Sequence, residues 1–160
     1  MAAARPCGAA LFLAALLLGS AAPDPIQVVD GEGGAVSLAL RPGEAGLVAH
    51  FWATWCASCT EELPALARAA RACRGAPVRV LTVNVGEDAE TVARYLAEHP
   101  FELPVLRDPQ GRAWRRIGRG LPANVIWTRA GRRHEVGPRT AEVWHEELLA
   151  LGCDPDPDPG

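Results

Sequence analysis

The stretch Gly46–Trp52, followed at once by Trp55-Cys56-Ala57-Ser58-Cys59, constrains this chain more than any other part of it. Gly46–Trp52 is a continuous apolar run broken only by His50, the pattern of a central strand buried on both faces. After the cysteines, Leu63, Leu66, Ala67, Ala70 and Cys73 recur at three- and four-residue spacing, which predicts a helix with one apolar face. Arg68, Arg71 and Arg74 fall on its other face, and Gly75 and Pro77 end it. The cysteine pair therefore sits where a buried strand gives way to a helix. Helical spacing puts both sulfurs on one side, near bonding distance. The first lies at the helix N-terminus, where unpaired N–H groups and the positive end of the dipole favour a thiolate. Such a position lowers a cysteine pKa from about 8.5 into the range of about 3.5–7.5. The thiolate is the attacking species in disulfide exchange, so Cys56 is the expected nucleophile and Cys59 the residue that resolves the mixed disulfide.

Other uses of two closely spaced cysteines fit less well. A zinc site needs a second ligand pair, and Cys73 and Cys153 have no closely spaced Cys or His partner. Covalent haem attachment needs a histidine after the second cysteine, where this chain has Thr60. A purely structural bridge over so short a loop removes little chain entropy.

The remaining pattern alternates strands and helices. Ile26–Val29 and Ala35–Leu40 read as short strands around the Gly-rich turn 31–34, and Val78–Val85 as a second buried strand. Asp88 is placed to cap a helix carrying Val92, Tyr95 and Leu96, which Pro100 stops. Leu103–Leu106 is short and extended, and Asp108-Pro109-Gln110-Gly111 is a turn. Ala123–Thr128 and Arg132–Val136 form a hairpin, and Thr140 caps a last helix carrying Val143, Trp144, Leu148 and Leu151. The order implies a parallel β-α-β crossover extended by antiparallel strands, and a C-x-x-C beside such a unit is a thioredoxin-like signature.

The chain ends suggest export. Arg5 precedes an apolar run, Ala9–Leu18, too short for an ordinary membrane span, and small residues follow at 19–22. Residues 1–22 are read as a signal peptide, or as an uncleaved anchor facing the periplasm. Residues 23–153 are read as the domain and the Asp/Pro tail 154–160 as disordered. The protein is thus expected to be periplasmic or secreted, in a compartment that permits disulfides. All 16 basic residues are arginine and the net charge is −3, which leaves no footprint for nucleic acid.

The block Phe51-Trp52-Ala53-Thr54-Trp55-Cys56-Ala57-Ser58-Cys59-Thr60-Glu61-Glu62-Leu63-Pro64 resembles the active-site block of the TlpA/ResA-like thioredoxins, exported thiol–disulfide oxidoreductases. Leu103–Asp108 with Gly111, the segment Ile117–Pro122 and the turn at Arg129–Gly131 resemble later segments of that family in the same order. The resemblance implies an α/β, thioredoxin-like fold with a central mixed β-sheet flanked by helices. It implies that Pro122, after Leu121, is the cis-proline whose loop faces the cysteines and helps bind substrate. It also implies that Glu62 is the acid that exchanges a proton with Cys59; the alternative is a glutamate that only satisfies the helix dipole. Trp55 is expected to shield the site or contact a partner, and Trp52 to lie in the core. Pro64 is expected to kink the first helix.

His50, six residues before Cys56, is read first as a hydrogen-bonded histidine of the central strand, with proton relay as the alternative. His99, His134 and His145 read as surface residues. Ser58 stands where the family usually has proline, which leaves the direction of electron flow open. In a thioredoxin-like fold the helices ending near Cys73 and Cys153 lie on one face and run the same way. Two readings follow: a second, structural disulfide, or a buried Cys73 acting as a small hydrophobe with a free Cys153.

The expected activity is thiol–disulfide exchange with client proteins, in the reducing direction, for which cytochrome c maturation and metal-site cysteines are candidates. It needs no cofactor and no metal; a membrane-protein electron donor and a monomeric state are expected. Two readings compete with it. A copper-binding chaperone would use the two thiols, but related proteins space them C-x-x-x-C. A peroxiredoxin-like thiol peroxidase would carry Thr three residues before the nucleophile, where this chain has Ala53.

Overall fold

Strand β3, Gly46–Trp52, is buried along its whole length and forms the spine of the molecule. The structure, a computed structural model, describes residues 25–153. The segment 1–22 read above as an export signal, with Cys7, and the tail 154–160 lie outside the described residues. Strand β4, Val78–Val85, pairs parallel with β3, and β6, Ala123–Thr128, pairs antiparallel on its other side. β5, Val105–Asp108, extends the sheet parallel to β4; β1, Ile26–Val29, and β2, Ala35–Leu38, add an antiparallel hairpin beyond it. β7, Gly131–Val136, closes the other edge, giving one mixed sheet in the order β2-β1-β5-β4-β3-β6-β7.

Alternation along β3 divides the core. Leu47, Ala49 and Phe51 join Leu81, Val83, Val125 and the short helix α3, Arg112–Ile117, through Ala113 and Ile117. Val48 points the other way, to Leu66 of α1 (Ala57–Ala70) and to Trp144 and Leu148 of α4 (Ala141–Ala150). Trp52, on that same face, packs its ring 5.3 Å from Tyr95 of α2 (Ala89–Glu98) and 5.9 Å from Phe101. The side chains of Asp88 and Thr140 accept from Thr91 N and Val143 N, capping α2 and α4 at the expected positions.

Four local expectations are corrected. β2 ends at Leu38 rather than Leu40. The extended segment 103–106 is instead β5, two residues later, because its ladder to β4 starts at Thr82↔Val105. α3 has no counterpart in the sequence reading; its first turn is fixed by Asp108, whose carboxylate accepts from Arg112 N and Trp114 N at 2.8 Å each. Val143 is 42% exposed, so the buried face of α4 runs through Trp144 and Leu148 without it.

Candidate active site

Cys56 is the N-cap of α1, with extended backbone (φ −91°, ψ 96°), and its carbonyl accepts from Cys59 N at 3.0 Å and Thr60 N at 3.1 Å. No side chain caps the helix there, which leaves Cys56 at the positive end of the helix dipole. Cys56 and Cys59 are bonded, with Cα atoms 5.3 Å apart. Their surroundings are unequal: Cys56 is 8% exposed and Cys59 fully enclosed, with Trp52, Ala53 and Leu63 in one cluster. Trp55, just before them, is 69% exposed. The Ser58 hydroxyl lies 3.7 Å from Cys56 Sγ and can donate to a thiolate there.

The loop that delivers Cys56 is tied down from the far side. Glu87, in the connection after β4, accepts from Thr54 N at 2.9 Å, from the Thr54 hydroxyl at 2.5 Å and from Asn84 Nδ2 at 2.6 Å. The sequence reading missed this clamp. Thr54 and Glu87 are loop residues 33 positions apart, and no periodic pattern links them to each other or to Asn84 of β4.

Glu62 lies one turn beyond Cys59 on the buried face of α1. Its Oε1 accepts from Trp144 Nε1 at 2.7 Å, while Oε2 has no hydrogen bond of normal geometry. Burial pushes the Glu62 carboxyl up to about 7; the Arg139 backbone N–H, the Trp144 indole and the Arg139 charge pull it partly back. His50 is completely buried, with Nδ1 2.8 Å from Asn124 Oδ1, its register partner on β6, and 3.9 Å from Glu62 Oε1. Burial holds the His50 imidazole down to about 4, against the Asn124 contact that favours its charged form. His50 is therefore neutral at pH 7, and its approach to Glu62 is not an ion pair.

The Leu121–Pro122 peptide is cis, and Pro122 is buried at the start of β6. Leu121 packs, half-buried, against the cluster containing both cysteines. The structure thus gathers Cys56, Cys59, Glu62 and Leu121 in one region, with Trp55 on its surface and His50 below Glu62. Away from it, at the other end of α1, Cys73 and Cys153 are bonded, with Cα atoms 4.5 Å apart and both residues buried. His99, His134 and His145 are exposed.

The sequence profile of the AhpC/TSA family matches residues 18–133. The thiol–disulfide oxidoreductase ResA of Geobacillus thermodenitrificans is 30% identical over 140 residues, 86% of this chain and 79% of that protein. A solved structure of a thiol:disulfide interchange protein DsbE from Chlorobium tepidum superposes with a TM-score of 0.69 at 26% identity, covering 80% of this chain and 93% of the other. The exposed lipoprotein thioredoxin of Streptococcus pneumoniae superposes at 0.64 and 25% identity, covering 80% and 98%.

Proposed function

The chain belongs to the AhpC/TSA family and is a thioredoxin-fold thiol–disulfide oxidoreductase of the ResA type; from that premise we propose that it reduces disulfides of client proteins outside the cytosol. The observation that carries the reading is the asymmetry of the pair: Cys56, at a helix N-terminus, keeps 8% of its surface exposed, and Cys59 is fully enclosed. The Cys56 thiolate attacks one sulfur of a client disulfide, and the other client sulfur leaves as a thiolate. Cys59 then gives its proton to the Glu62 carboxylate and attacks Cys56 Sγ. This closes the Cys56–Cys59 bond and frees the second client sulfur. Two electrons pass to the client, and an external dithiol, which we assign to a membrane protein, returns them. With its pKa near 7, Glu62 is about half protonated at neutral pH, so it serves as base in this direction and as acid in the reverse one.

Trp55, Leu121 and Pro122 form the client-facing surface in this reading. The apolar run at 9–18 supports export, as does the likeness to an exposed lipoprotein. Among the described residues no helix is long and apolar enough to cross a membrane. Cytochrome c maturation and reduction of metal-site cysteines are the client classes we favour.

The deciding measurement is the equilibrium reduction potential of Cys56–Cys59 in the mature protein. A value near or below about −270 mV is expected; one near about −120 mV would make the protein a disulfide-forming oxidant. The peroxidase reading is tested by peroxide consumption, which is expected to be absent because Ala53 offers no hydroxyl beside the nucleophile. Copper titration of the reduced protein tests the chaperone reading.

A further inference from the structure

Besides the apolar packing of Leu66 against Trp144 and Leu148, two specific links tie α1 to α4. Near their C-terminal ends the Cys73–Cys153 bond joins them, and nearer their starts Trp144 Nε1 donates to Glu62 Oε1 at 2.7 Å. Cys73 lies eleven positions beyond Glu62, and Cys153 nine beyond Trp144. The two links follow the same order along both segments at similar separations, so they are two rungs of a ladder between helices running the same way. The ring of Trp144 is fully buried. A buried indole must place its one N–H on an acceptor, and among the groups around it this one chose a carboxyl one turn from Cys59 rather than a backbone carbonyl.

The groups that face Glu62 are few. On β3 the His50 ring stands 3.9 Å away, is hydrogen-bonded to Asn124 and packs edge-on to Trp144. Before α4, Arg139 turns its backbone N–H toward the Glu62 carboxyl and stacks its guanidinium 4.9 Å from the Trp144 ring centre while paired with Glu135 and Glu147. On α1 itself its neighbours one turn away on the buried face are Cys59 and Leu66.

We propose that Trp144 is a positioning residue of the redox site: it holds one oxygen of Glu62 and leaves the other free for the Cys59 proton, and the Cys73–Cys153 bridge keeps α4 in the register that allows this. The unpartnered Oε2 of Glu62 is what such a division of labour requires. The inference rests on Glu62 being the proton partner of Cys59. It adds that the second disulfide, remote from the chemistry, acts on the proton-transfer step through α4.

The test is the pH midpoint of Glu62, followed by the infrared carbonyl stretch of its neutral form and by the inflection of the pH–rate profile for reduction of a model disulfide. Glu62→Gln is expected to remove both signals, locating them. Trp144→Phe keeps the ring and loses the N–H. Because that N–H favours the charged carboxylate, the midpoint is expected to rise by about one pH unit. The Cys73→Ala/Cys153→Ala variant is expected to raise it by a smaller amount. A midpoint unchanged in Trp144→Phe, with the signals lost in Glu62→Gln, would overturn the positioning role and leave the proton role of Glu62 intact. A rate inflection that survives Glu62→Gln would overturn the proton role itself, and the inference with it. Should Trp144→Phe not fold, an unshifted midpoint in the bridge-less variant would overturn the inference.

Discussion

The two ends of α1 carry two disulfides of opposite character. At the N-terminal end, Cys56 and Cys59 are three positions apart at the positive end of the helix dipole, Cys56 slightly exposed and Cys59 enclosed. At the other end, Cys73 and Cys153 are 80 positions apart and lie among Val48, Leu66 and Leu148. Chain entropy separates them: closing the long loop removes about 4.5 kcal/mol of freedom from the unfolded chain, and closing the short one less than half of that. Reactivity separates them the other way. Cys56 sits at a helix N-terminus that can hold the charge of a thiolate, while Cys73 and Cys153 lie past helix C-termini, where the dipole disfavours it. The same bond thus serves as a reagent at one end of a helix and as a staple at the other.

Breaking each bond should expose the difference. Cys56→Ser is expected to lower the rate of model-disulfide reduction by about three orders of magnitude or more, with little change in the urea midpoint. A variant that keeps its rate would remove Cys56 from the chemistry. Cys73→Ala/Cys153→Ala is expected to lower unfolding free energy by about 2–5 kcal/mol while a reversible Cys56–Cys59 couple remains. Urea titration and a redox titration of the same preparation check both halves.

A third expectation concerns the buried pair that lies between the two disulfides. Glu62 keeps its proton in the folded protein up to about pH 7 but loses it near 4.5 in the unfolded chain. Folding therefore favours proton binding, and stability falls as pH rises from about 4.5 to 7, by roughly 3 kcal/mol in full. His50 has the opposite slope. Its folded pKa is about 4 against 6.5 unfolded, so its contribution is present above about 6.5 and is lost as pH falls toward 4. The two slopes oppose each other over about pH 4.5–6.5, and the wild type should be nearly flat there. Glu62→Gln should become more stable with rising pH across that window and level off above it, as urea midpoints at several pH values will show. The smallest effect is expected at Trp55, whose exposed ring we assign to client contact. Trp55→Ala should change stability by less than about 0.5 kcal/mol and raise KM for a protein client while leaving the reduction potential in place.

How much of this was legible in the sequence follows from how local each signal is. β3 and β4 stood out as apolar runs, and the caps Asp88 and Thr140 are read directly because a cap acts within three residues. α3 was not legible. It is six residues long, shorter than two helical turns, and is held by Asp108 from outside the helix rather than by its own periodicity. At the site, Cys56, Cys59 and Glu62 share one helix face and could be read by spacing, with the resemblance supplying the role of Glu62. Glu87 and Trp144 could not. Each acts on a residue 33 or 82 positions away, and only the folded sheet and its helices bring them together.

β3 has a further consequence for how the protein moves. It is paired along both edges and buried on both faces, so its amides should open to solvent only when the whole domain unfolds. In hydrogen–deuterium exchange they should be the slowest amides of the domain in both redox states. Redox cycling at Cys56 would then leave the slowest-exchanging core where it was and change protection only in the first turn of α1 and the loops around it.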